Sequence, residues 1–150
     1  MSQAASAFAV PSKVLAKADR ELAANEMKKF WETLRPCRIC DGFPWDGYVV
    51  VVLVEFLQEM GIELPVSGEA QARNLVLRMN PLACASPEEA AEAIVALTKF
   101  EPTDAELTTF WQNFTGDKDN PAKAMRAALD WLKQVFTQGQ TADWCIILEG

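Results

Sequence analysis

Cys37-Arg38-Ile39-Cys40 is the one short pattern in this chain whose residue types and spacing do recognisable chemistry. Thiols at that separation close a redox disulfide or supply half of a tetrahedral zinc site. The other zinc ligands would have to be Cys84 and Cys145, because the 150 residues include no histidine, and neither cysteine belongs to a second paired motif. A thioredoxin-type pair follows a strand in a βαβ unit; here a long amphipathic segment and Pro36 come first. The expectation is therefore four ordinary cysteines in a reducing compartment, with no metal and no cofactor.

The missing histidine also removes the usual general base and proton shuttle. No Ser-x-x-Lys, Gly-x-Ser-x-Gly, phosphate-cradling glycine loop or dinucleotide fingerprint takes its place, and the seven glycines never cluster. Asp117-Lys118-Asp119-Asn120 resembles the start of a calcium loop, but Pro121 stands near the glycine position and no glutamate closes twelve residues. It reads better as a polar turn in which Asn120 caps the next helix. The chain is expected not to be an enzyme.

Binding chemistry is the remaining candidate. In Asp41-Gly42-Phe43-Pro44-Trp45-Asp46-Gly47 two aromatic rings are bracketed by acids and constrained by proline. Flat rings bury large area at small entropic cost, and a charged rim around them is the make-up of a protein-protein hot spot. The competing reading folds Phe43 and Trp45 back onto the core, with Trp45 stapling onto Val50. The expected partner-binding set is Asp41, Phe43, Trp45 and Asp46, with the later acids Asp104, Glu106, Asp117 and Asp119.

Charge says what such a surface would meet. The net charge is −7, with 14 basic against 21 acidic residues. Residues 1–60 hold seven basic and eight acidic residues, net −1, and 61–150 hold seven and thirteen, net −6. A nucleic-acid partner is disfavoured by that excess and a basic protein favoured. The five tryptophans do not suggest a base-stacking platform, since most lie among other apolar residues at helical spacing. The longest apolar run, 48–57, is broken by Glu55 and is half the roughly 20 residues a membrane span needs. Residues 1–10 carry no Lys or Arg and no long apolar block, unlike a secretory signal, and the expected compartment is the cytoplasm.

The elements that must position these residues read as helices. Ser86-Pro87-Glu88-Glu89 and Thr103-Asp104-Ala105-Glu106 each supply a hydroxyl cap with a glutamate three residues later, the arrangement that satisfies orphaned donors at a helix start. Apolar residues three and four apart predict helices over 12–34, 67–79, 86–100, 104–114 and 121–136. The run from Asp46 to Met60, with four consecutive valines, is strand-prone by propensity, yet no turn residue interrupts it and helix is preferred. Residues 1–10 read as a flexible tail, and 144–148 as a short extended segment. The expected fold is all-α: a single domain over 11–150 of about six helices.

These features together point to a cytoplasmic inhibitor or immunity-type protein that neutralises a basic partner, such as a nuclease toxin, without catalysis. A structural or adaptor module, for instance a secretion chaperone, is the alternative, expected to expose an apolar groove. A cysteine-based metal or redox protein is the second alternative.

Overall fold

Trp144-Cys145-Ile146-Ile147-Leu148 is apolar at five consecutive positions, which suits a strand covered on both faces. All five are buried. The computed structural model describes residues 5–67 and 72–149. In chain order these form β1 (Ala5–Val10), α1 (Ser12–Ala23), α2 (Met27–Leu34), a 3₁₀ turn (Arg35–Cys37), β2 (Arg38–Ile39), α3 (Gly47–Glu59), α4 (Arg73–Met79), β3 (Ala83–Ala85), α5 (Pro87–Lys99), α6 (Asp104–Thr115), α7 (Ala122–Gly139) and β4 (Trp144–Glu149). The all-α expectation is thus overturned. The described residues hold seven α-helices and a four-stranded antiparallel sheet in the order β2-β1-β4-β3.

The two ends of the chain make the centre of that sheet. β1 and β4 pair from Ala5↔Glu149 to Val10↔Trp144, β3 adds beside β4, and β2 adds beside β1. Residues 5–10, expected within a tail over 1–10, are therefore an inner strand; residues 1–4 of that tail lie outside the described residues. Small side chains explain the misreading, because Ala5, Ala7 and Ala9 have little strand propensity and are held by pairing with a segment over a hundred residues away.

Alternation along the strands sends side chains to two cores. Ala7, Ala83, Ala85, Cys145 and Ile147 meet α3, α5 and α7 on one face. Phe8, Val10, Cys84, Trp144, Ile146 and Leu148 meet α1, α2 and α4 on the other. The helix α6 lies outermost on the first side, with Leu107 buried there.

The expected helix over 12–34 is two. Asn25 takes the left-handed conformation at φ 59°, the Asn25 amide donates to Leu22 O and the Glu26 amide to Glu21 O. That is a Schellman ending, and asparagine is the residue other than glycine that most readily occupies its turning position. Gly61, at φ 81°, ends α3 in the same way. The valines of α3 do adopt helix: their propensity deficit is at most about 0.7 kcal/mol each. Burying such a side chain contributes roughly 1.5–3 kcal/mol, and Val49, Val50, Val52 and Val54 are all buried.

The expected helix over 67–79 is shorter as seen. Residues 68–71 lie outside the described residues, and the Ser67 amide donates to Cys84 O at 2.8 Å beside β3. The α4 start has no capping side chain of its own. Asp19 of α1 supplies one across space, accepting from the Leu75 amide and from Asn74 Nδ2, both at 2.9 Å. It is the one charged residue buried among the described residues.

Candidate functional site

The loop from Cys40 to Asp46 leads from the sheet edge to α3, and α7 holds it. Trp131 Nε1 donates to Cys40 O at 2.7 Å, and the Phe43 ring lies 5.5 Å from the Trp131 ring between centroids. Cys40 itself is left-handed at φ 52°, a conformation a side-chain-bearing residue keeps only where its surroundings hold it. Phe43 is consequently half-buried against the first core. Trp45 is 41% exposed. Of the two rings expected to act together, one packs on Trp131 and the other is exposed.

Asp46 caps α3, accepting from the Tyr48 amide at 2.9 Å. Tyr48 in turn sets its ring 6.0 Å from Trp111 of α6, edge to face, and Phe110 stacks on Phe114 at 5.6 Å. The stripe Leu107, Phe110, Trp111 and Phe114 has helical spacing, as the sequence indicates, but only Leu107 is buried. Tyr48 stays 37% exposed and Phe114 46%. The Tyr48–Trp111 contact makes an aromatic surface between the start of α3 and the later half of α6, and Trp45 and Phe114 are exposed three residues away from it along the chain. The Trp111 indole N–H beneath it is buried and has no acceptor among the described residues.

The later acids divide into two groups. Asp104 pairs with Arg126, whose guanidinium also donates to Pro102 O at 2.8 Å. Glu106 completes the expected capping box with Thr103, and those bonds hold its carboxyl below the usual range. Both sit at the start of α6. Asp117 and Asp119 follow its end, where Asp117 accepts from the Asp119 amide at 3.0 Å. The twelve residues of α6 span about 18 Å between the groups, so the two pairs stand at opposite ends of the helix and only Asp117 and Asp119 are at its Phe114 end. Asn120, expected to cap α7, lies one residue before the cap position at Pro121; its Oδ1 accepts from the Ala122 amide at 3.3 Å and from Thr108 Oγ1 at 2.9 Å.

The four cysteines stand on opposite sides of the sheet. Cys40 and Cys145 border the first core, Cys37 and Cys84 the second. One ion cannot draw ligands from both, and among the described residues no group of three or more metal-binding side chains converges. Burial pushes all four thiols up, Cys84 and Cys145 to about 12, with Asp41 adding to the effect at Cys40. Raised thiols are poor nucleophiles and poor metal ligands at neutral pH.

Beside the loop lies a cleft of about 310 Å³ whose walls include Cys40, Phe43, Pro44, Asp130, Trp131 and Gln134. Tyr48, Trp111 and Phe114 of the aromatic surface, and Asp130 and Gln134 of the cleft, are not in the set expected from sequence. An amphipathic stripe does not say whether anything covers it. The one available signal is that α6 carries three aromatic residues, more than any other helix.

No helix among the described residues is long and apolar enough to cross a membrane. No protein-family model, curated protein or solved structure matches the chain.

Proposed function

We propose that the protein is a non-enzymatic binding protein that captures a basic protein partner, as a cytoplasmic inhibitor of the immunity type would. The observation that carries this reading is the exposure of the rings of Trp45, Tyr48 and Phe114, with Asp46 bonded to the Tyr48 amide and Asp117 and Asp119 following Phe114 in the chain. Rings that supply area sit beside carboxylates that select a cationic partner. Lys118 is the single basic residue in that stretch, against a net charge of −6 over 61–150. Opposite charge on the partner would speed encounter and make association salt-sensitive.

The test is affinity capture followed by titration of the recovered protein at low and high salt, with wild type and with Trp45→Ala/Phe114→Ser. The expected result is a basic partner whose binding weakens with salt and falls about thirtyfold for each ring that acts as a hot spot. Equal affinity of the double variant, or substrate turnover by the isolated chain, would overturn the reading.

A further inference from the structure

We infer that the cleft between the Cys40–Pro44 stretch and α7 receives one lysine or arginine side chain of the basic partner. This deepens the reading above and rests on it for the identity of the partner.

Three observations converge. The cleft is preformed: the Trp131 bond to Cys40 O and the Phe43–Trp131 ring contact fix its two walls before anything enters. Its volume, about 310 Å³, lies at the bottom of the roughly 300–1,000 Å³ range of small-molecule sites, so it holds a side chain rather than a cofactor. Its chemistry is graded, with Phe43, Pro44 and Trp131 apolar, Gln134 polar, and Asp130 the single charged residue in its lining. That gradation matches a methylene stem carrying a cation at its end, and an aromatic face adds cation-π attraction.

Asp130 is also available. It makes no ion pair among the described residues. The basic residue one turn earlier, Arg126, is held by Asp104 and Pro102 O. Trp45 follows directly on Pro44 of the cleft wall, so a partner that covers Trp45 comes close to the cleft.

The probes are Nα-acetylarginine amide, Nα-acetyllysine amide and, as an uncharged control of similar length, Nα-acetylnorleucine amide. Each is titrated into the ¹⁵N-labelled protein while the Trp131 indole and Gln134 carboxamide signals are followed. A cationic amide is expected to give saturable shifts at both groups, the control none, and Asp130→Asn to weaken the cation about tenfold. Trp45→Ala is expected to leave these shifts unchanged. Equal shifts from norleucine amide, no shift from either cation, or full binding by Asp130→Asn would overturn the inference. Silent probes alongside partner capture that still depends on Trp45 and Phe114 refute the cleft alone. Cationic probes that bind while capture ignores those rings refute the aromatic surface instead.

Discussion

Gly139→Ala reverses the usual sign of a glycine replacement. Near the end of an exposed helix the change stabilises by up to about 1 kcal/mol, because alanine loses less backbone freedom on folding. Here a Cβ at Gly139 would fall on Cys145 Sγ, 2.5 Å from Cys145 Cβ and 3.5 Å from its Cα. Ordinary contact begins near 3.4 Å, so α7 and β4 would have to part by about 1 Å. β4 cannot retreat alone, since it is bonded to β1 on one side and β3 on the other. Overpacking of this kind costs about 1–3 kcal/mol, so after the helix gain of up to about 1 kcal/mol the net expectation is a loss of about 1 kcal/mol. For a domain this size that is a fall in Tm of roughly 2–4 °C. Urea unfolding followed by circular dichroism measures it. A double-mutant cycle with Cys145→Gly, which removes both obstructing atoms, should return a coupling of at least about 1 kcal/mol in favour of the pair. If Gly139→Ala is as stable as wild type, or the cycle shows no coupling, the close approach of helix and strand is refuted.

Three further outcomes are expected. Asp19→Ala strips the Leu75 amide of its buried acceptor and should destabilise by about 2 kcal/mol in chemical denaturation, whereas Asp19→Asn, which keeps an acceptor, should lose less. Trp131→Phe keeps a ring against Phe43 but removes the bond to Cys40 O; it should lower stability by about 1 kcal/mol and speed hydrogen exchange across 40–46, and unchanged exchange would show that the indole does not hold the loop. Cys84 and Cys145, pushed up to about 12 from an ordinary 9.0, stay protonated in the folded state while the unfolded chain ionises. Their contribution to stability is whole below pH 9 and is lost as pH rises from there to 12. At pH 8 a thiol reagent should modify Cys37 and Cys40 well before either of them, and equal rates would contradict that burial.

How far the chain is legible follows from the range of the forces involved. Capping depends on a few neighbouring residues, so Ser86 with Glu89 and Thr103 with Glu106 could be placed from sequence and form the capping boxes expected. The tight ending at Asn25 is equally local but is masked in the sequence, because the apolar stripe continues on either side of it. Of the candidate site, the exposure of Trp45 was an open question in the sequence, and the withdrawal of Phe43 onto Trp131 depends on a residue 88 positions away.

Amino-acid order alone determined where most helices start, which side of each is apolar, how negative the molecule is, and that histidine chemistry is excluded. Tertiary structure decided the sheet, because β1 and β4 are meaningful only as a pair and their partner groups lie at opposite ends of the chain. It also decided which apolar stripes are covered: α7 lies under α5 and α3, while α6 keeps its aromatic residues half bare. A hydrophobic pattern records that a face avoids water but not what covers it, and for α6 that open question is the basis of the proposed function.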